Sequence, residues 1–329
     1  MKRVCVVGAG AIGGFIGARL AAAEQCTVSA LARGKTLDAL REHGWRLRSD
    51  TGDIQAPVTV SDDADALGPQ DVVIVAVKGP ALAAVAQGIA PLLDVHTVVV
   101  PAMNGVPWWF ADGVAALKGA RLESVDPDGI VAREIATQRV VGAVVHASAA
   151  TVEPGVVQHR MGRGLVVGEP HGGPSARVQA LADLLAGAGF DVKRSDDIRQ
   201  DIWYKLWGNL TLNPVSAITG ATADKVLGDP LLRAFCSRAM TEASRIGGAI
   251  GCAIDQGPED RHEMTARLGA FKTSMLQDVE DGRPIELDSI VAAVHELGAR
   301  LDIPTPNIDA LLGLTRVFAR VRGLYPENA

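Results

Sequence analysis

At 329 residues, with 48% hydrophobic and 21% charged side chains, the chain exceeds what one hydrophobic core commonly serves and has a globular rather than a disordered composition. Two domains separated by a cleft are expected. A formal net charge of −6 argues against a nonspecific nucleic-acid or anionic-membrane surface, leaving a small molecule as the expected partner.

The first residues imitate a secretory signal: Met1-Lys2-Arg3, an apolar run, then Ala21-Ala22-Ala23. The glycines argue otherwise, because Gly8, Gly10, Gly13, Gly14 and Gly17 would each cost a helix about 1 kcal/mol relative to alanine. Arg19 interrupts the longest apolar run, so no stretch is long enough to span a bilayer. Residues 3–7 read instead as a buried strand, 13–23 as a helix and 27–31 as a second strand, the opening of a parallel α/β sheet. Strands at 72–77 and 97–100, separated by a helical segment at 81–93, extend that sheet by βαβ crossovers. Runs at 140–148, 156–159 and 165–168 read as antiparallel additions that close the domain. From about 197 the strand signal disappears, and helical periodicity covers 197–213, 229–250, 258–280, 287–301 and 307–322. The expected organisation is therefore a Rossmann-type α/β domain over 1–196, with a mainly parallel sheet, followed by an all-α domain over 197–329.

Gly8-Ala9-Gly10-Ala11-Ile12-Gly13 directly follows the first strand and opens a helix. In that setting the first glycine permits the turn, the second admits a pyrophosphate and the third allows close helix packing, while the helix N-terminus offers N–H groups to the anion. A dinucleotide site is expected there, with Gly8, Gly10, Ala11, Ile12 and Gly13 as its cradle. The second strand ends Ala30-Leu31-Ala32-Arg33, with a cation where an NAD site places an acid. Arg33, with Lys35 nearby, suits a ribose 2′-phosphate and points to NADPH. Lys78 and Asn104 emerge at the carboxyl edge of the same sheet, where ligands bind, and are further cofactor candidates.

In the second half, Lys205, Asn209 and Asn213 recur every four residues in WYKLWGNLTLNP, a polar stripe on an otherwise apolar helix. A partly desolvated lysine on such a stripe can donate a proton to a developing alkoxide. Ser274 lies in KTSMLQD, and Glu286 follows the helix-breaking Asp281-Gly282-Arg283-Pro284, where it is expected to begin the next helix. Cys5, Cys26, Cys236 and Cys252 are scattered and the seven histidines show no ligand spacing, so no metal is expected and a reducing cytoplasm fits. The apolar helices permit a homodimer without demanding one.

Together, VVGAGAIGG, Arg33, Lys78, the MNG around Asn104, WYKLWGNLTLNP and KTSMLQDVEDGRPIE give a pattern that resembles the ketopantoate reductase (2-dehydropantoate 2-reductase) family over nearly the whole chain. The resemblance implies NADPH, a Rossmann-type first domain and a helical second domain similar to those of 6-phosphogluconate dehydrogenase relatives. It implies that Lys205 protonates the substrate carbonyl oxygen as hydride arrives, and that Glu286 orients Lys205 and the substrate hydroxyl. Ser274 would hold the substrate carboxylate. Asn104, Asn209 and Asn213 would fix carbonyl and hydroxyl groups, with Lys78 near the ribose. The chain departs from the family pattern where Glu286-Leu287-Asp288-Ser289-Ile290-Val291-Ala292 lacks an Asn-Gly, where Ala223 replaces an asparagine found in some members, and at the tandem Trp108-Trp109. These departures leave another branched 2-oxo acid or an imine as the alternative substrate, and a non-catalytic NADPH-binding protein as a more distant one.

Overall fold

The computed structural model describes residues 1–327. The chain divides into two compact units, one built from Met1–Met103 with Gly129–Asp201, the other from Asn104–Asp128 with the chain from Ile202 onward. This differs from a single cut near 196. The segment that follows the last strand of the parallel sheet leaves the α/β unit and joins the helical one, so that three-dimensional contact and chain order disagree.

The α/β unit opens with β1 (Arg3–Val7), α1 (Ala11–Ala22), β2 (Thr27–Leu31) and α2 (Gly34–His43). It continues with β3 (Trp45–Arg48), β4 (Ile54–Ala56), β5 (Thr59–Ser61), β6 (Val72–Val75), α3 (Leu82–Gly88) and β7 (Val98–Pro101). After the excursion into the other unit come α4 (Ile130–Glu134), β8 (Gly142–Glu153), β9 (Val156–Gly168), α5 (Ala176–Gly187) and β10 (Asp191–Arg194). The first sheet has the order β5-β2-β1-β6-β7, parallel throughout. Its β-branched strands are buried on both faces, as a sheet covered on each side requires.

Two expectations are corrected here. The runs at 140–148, 156–159 and 165–168 do form an antiparallel pair, as the continuous β8–β9 hairpin, but they do not extend the first sheet. They build a second one, in which β9 runs parallel to β3 and β10 while β3 pairs antiparallel with β4. An isolated bridge from Val99 to Val140 links this region to β7. The strands β3, β4 and β10 are too short to carry a period of their own. The helix expected at 81–93 is broken: α3 is flanked by single 3-10 turns, one of which contains Pro91.

Helix α1 packs against β2 of the first sheet and against β3, β4, β8 and β9 of the second. Apart from Arg19 it is therefore apolar, and its glycines serve close approach: a Cβ on Gly17 would stand 2.6 Å from the Trp45 ring.

The helical unit contains most of α6 (Ile198–Thr219), then α7 (Ala223–Gly228), α8 (Pro230–Ala249), α9 (Pro258–Ala266), α10 (Ser274–Glu280), a π-helical turn (Asp288–Ala292), α11 (Ala293–Arg300) and α12 (Pro306–Val321). Helix α6 does not stop at Asn213. It runs through Pro214, which removes only the N–H that would bond to Leu210. The helix expected at 258–280 is two helices, because Thr273 caps a new one by accepting a hydrogen bond from the Leu276 N–H at 3.2 Å. Trp203, Leu206, Trp207 and Leu210 of α6 are buried, and the Trp207 indole donates to the Met240 carbonyl of α8 at 2.8 Å. Trp108, Trp109 and Phe110 are also core residues, with Phe110 stacked on Trp203 at 6.0 Å between ring centroids. Among the described residues no helix is long and apolar enough to cross a membrane.

Candidate active site

In the α/β unit the parallel register aligns Val7 with Leu31 and Val75, and Val75 with Pro101, so the strands end together. The segments that carry Gly8, Arg33 and Lys78 therefore leave the sheet at one edge. Gly8 has φ +90, and a Cβ there would sit 2.6 Å from the Val77 side chain. A Cβ on Gly13 would stand 2.0 Å from the Gly8 carbonyl oxygen, which explains the third glycine of the motif. Gly10 differs from both: it is the N-cap of α1, no side chain caps it, and a Cβ built on it would meet nothing within 4 Å. That open space at the N-terminus of α1 fits a pyrophosphate. Arg33 is exposed at the N-cap of α2, and Lys35 is exposed beside it. Lys78 is half-buried at the start of a 3-10 turn after β6.

The helical unit gathers the remaining candidates. Lys205 is half-buried on α6, and its ammonium donates to Asn104 Oδ1 at 2.9 Å. The other end of that amide, Asn104 Nδ2, donates to Glu286 Oε2 at 3.4 Å. A lysine, an asparagine and a carboxylate from segments far apart in sequence thus form one hydrogen-bonded chain. Burial pushes the Lys205 ammonium down to about 8, with the Glu286 carboxylate opposing that fall. The ammonium is then charged at neutral pH and readily gives up its proton.

Asn104 is placed by the turn that follows it. Gly105 has φ +81, and a Cβ there would stand 2.3 Å from the Ser289 carbonyl oxygen. That same carbonyl accepts the Val106 N–H at 2.8 Å, so the turn is stitched to the π-helical turn just after Glu286. Glu286 is the last residue of the connection from α10, one position before helical conformation begins at Leu287 and runs through the π-helical turn into α11. Arg283 shapes this connection, with its guanidinium 3.2 Å from Asp278 Oδ1 and 2.7 Å from Asp281 Oδ2.

Two turns along α6 from Lys205, the buried Asn213 amide lies 3.5 Å from the Ser274 hydroxyl at the start of α10. Beneath them Ser216 and Thr273 share a buried hydrogen bond of 2.5 Å, which fixes α10 to α6. Asn209 is half-buried between the two groups, on the same face of α6. Asn104, which the sequence places with both the cofactor and the substrate residues, is joined here to Lys205 and Glu286. Sequence reading did not single out Asp288 or Tyr325, whose hydroxyl donates to Asp288 Oδ1. The chain has only two tyrosines, and nothing local marks Tyr325 as a partner for a residue 37 positions earlier.

Comparison with known proteins places the chain in a family. A family model described as ketopantoate reductase PanE/ApbA matches residues 4–172, and one described as ketopantoate reductase PanE/ApbA C terminal matches residues 197–319. A 2-dehydropantoate 2-reductase of Mesorhizobium japonicum is 44% identical over 98% of this chain and 99% of its own. A Ralstonia solanacearum protein, provisionally a ketopantoate reductase, is 54% identical, with a TM-score of 0.95 over 98% of this chain and 99% of its own. A D-mandelate dehydrogenase bound to NADH and anilino(oxo)acetate, 19% identical over 98% of this chain and 100% of its own, has a TM-score of 0.84 and is alike in fold alone. Matched in both of its parts and along its length, the chain belongs to the ketopantoate reductase family.

Proposed function

We propose that the protein reduces 2-dehydropantoate to pantoate with NADPH, and that Lys205 is its general acid. The observation that carries the assignment is the hydrogen-bonded chain from Lys205 through Asn104 to Glu286. The Gly8–Gly13 turn would hold NADPH, with Arg33 pairing with its 2′-phosphate, and the bound cofactor would supply a hydride to the carbonyl carbon. Lys205 Nζ gives its proton to the carbonyl oxygen, turning the developing alkoxide into a hydroxyl and leaving a neutral amine that solvent reprotonates. General-acid assistance of this kind contributes about 10²–10⁴ in rate. Glu286 keeps the Lys205 ammonium charged until that moment and, through Asn104, fixes its direction. The Ser274 hydroxyl and the Asn213 amide offer donors to the substrate carboxylate, and Asn209 to its hydroxyl. Lys78, at the sheet edge, lies toward the ribose.

One observation favours a second substrate, another branched 2-oxo acid or an imine. At the positions where the family pattern carries asparagine, Ala223 and Val291 are apolar and buried. Absorbance assays of NADPH consumption with ketopantoate beside a panel of 2-oxo acids separate the two. Fast, NADPH-selective turnover of ketopantoate is expected, and turnover of a different acid alone would move the assignment to that acid.

For assembly, we infer a homodimer through α12. Leu314, Val317 and Val321 are 62%, 61% and 79% exposed at a heptad-like spacing on its outer face. Sedimentation equilibrium should give twice the chain mass, and the chain mass alone would refute it.

A further inference from the structure

Glu286 is the last non-helical residue before the run that opens at Leu287, so the contacts made on either side of it help to set where its carboxylate lies. On its N-terminal side the Ile285 N–H donates to the Leu324 carbonyl at 3.1 Å. On its C-terminal side Asp288 Oδ1 accepts the Tyr325 hydroxyl. Leu324 and Tyr325 are consecutive residues just beyond α12, and both are buried, at 5% and 9% exposure, although Gly323 and Pro326 around them are exposed. They are themselves tied down. The Leu324 N–H donates to the Ala319 carbonyl at 2.8 Å, the Arg320 guanidinium lies 5.7 Å from the Tyr325 ring centroid, and Arg320 Nε donates to the Pro326 carbonyl at 3.0 Å.

Glu286 is thus bracketed by two contacts from one short segment, and the Ser289 carbonyl next along bonds the Val106 N–H behind Asn104. We propose that Leu324 and Tyr325 form a positioning strap that holds Ile285 and Asp288, and so sets the Glu286 carboxylate against Asn104 and Lys205. Tyr325 is a positioning residue that acts through Asp288 and touches neither substrate nor cofactor. Burial raises the Asp288 carboxyl, and the Tyr325 hydroxyl, followed by Arg316, opposes that rise, so losing the hydroxyl leaves a largely desolvated carboxylate without its main donor.

The proposal rests on the active-site assignment above, and the experiment separates the two. Tyr325→Phe, which keeps the ring and its packing, should lower kcat by about 5- to 100-fold, the range for a catalytic group displaced by up to an ångström. The KM for NADPH should stay within about twofold of the parent value, because the dinucleotide turn is untouched. The alkaline limb of the kcat profile should move to lower pH, as it should when Glu286 is neutralised. In a Glu286→Gln background the same change should cost little more, since both act on one interaction. Asp288→Asn, which keeps an acceptor for the tyrosine, should recover most of the turnover lost in Asp288→Ala, and this pair decides the matter should Tyr325→Phe fold poorly. An unchanged kcat in Tyr325→Phe with Glu286→Gln impaired, or a full additional loss in the double variant, would overturn the strap alone. Undiminished turnover in Glu286→Gln would overturn the assignment and the strap together.

Discussion

Neutralising Glu286 tests the proposed chemistry most directly, because it leaves the acid in place and changes only its charge environment. In the parent protein two opposed effects set the Lys205 ammonium near 8: desolvation lowers it, and the Glu286 carboxylate raises it. A neighbouring opposite charge is worth about 1–3 pKa units, so Glu286→Gln should lower the Lys205 ammonium further. Only the protonated lysine can act as the acid. The parent kcat should therefore hold below pH 8 and fall tenfold per pH unit above it, and in Glu286→Gln the same fall should begin about one to three units lower. At neutral pH the variant then loses about two- to a hundredfold, which returns on acidification. The assay is NADPH oxidation at saturating substrate across the range that brackets both limbs. Lys205→Ala, with no acid to titrate, should lose the limb altogether and at least about a hundredfold in rate. A Glu286→Gln profile that keeps its limb at the parent position, or moves it to higher pH, would refute the electrostatic role. A Lys205→Ala enzyme with a normal rate would refute the acid.

The cofactor site carries two further tests. Gly10 faces open space at an ordinary φ of −80, whereas Gly8 is held at φ +90 against Val77, so alanine should do different damage at each. Gly10→Ala should fold with little change in Tm but weaken NADPH binding by at least about tenfold in fluorescence titration, because its methyl fills the space the pyrophosphate needs. Gly8→Ala should lower Tm itself, through about 1–3 kcal/mol of backbone strain added to the clash, and equal Tm values for the two variants would refute the distinction. Arg33→Ser should reduce the ratio of kcat/KM for NADPH over that for NADH by about tenfold or more, the worth of one charge-assisted bond. An unchanged ratio would leave Arg33 as a solvated surface cation.

What could be read from the chain beforehand was what is written locally. The glycine turn, the polar stripe on α6 and the strands buried on both faces each depend on residues within a few positions of one another. Their period or spacing therefore appears in the sequence itself. Even there, local signals misled where tertiary contact decides. Pro214 reads as a stop, yet α6 passes through it because the flanking side chains of Leu212 and Val215 are buried against Val226, Leu227, Cys236 and Leu311. The stretch 258–280 reads as one helix because its apolar period survives the break that the Thr273 cap imposes. The second sheet was hidden for another reason. Its strands β3, β4 and β10 span only three or four residues; β3 and β10 gain their partner from β9, more than a hundred positions away for β3, and β4 pairs only with β3.

The site divides along the same line. Lys205, Asn209 and Asn213 lie on one helix and declare a shared face, but the acid's working geometry comes from residues that local pattern does not connect to it. Asn104 follows a strand of the α/β unit and yet belongs to the helical unit, and Glu286 takes its place from what brackets it. A helix fixes a side chain by its own hydrogen bonds, whereas an irregular connection needs anchors from elsewhere in the chain. A carboxylate placed by such a connection answers to whichever distant contacts hold it. Changes at Asp288, Tyr325 or the Val106 turn should then reach the reaction through Glu286, while equally conservative changes on the outer face of α6 should not.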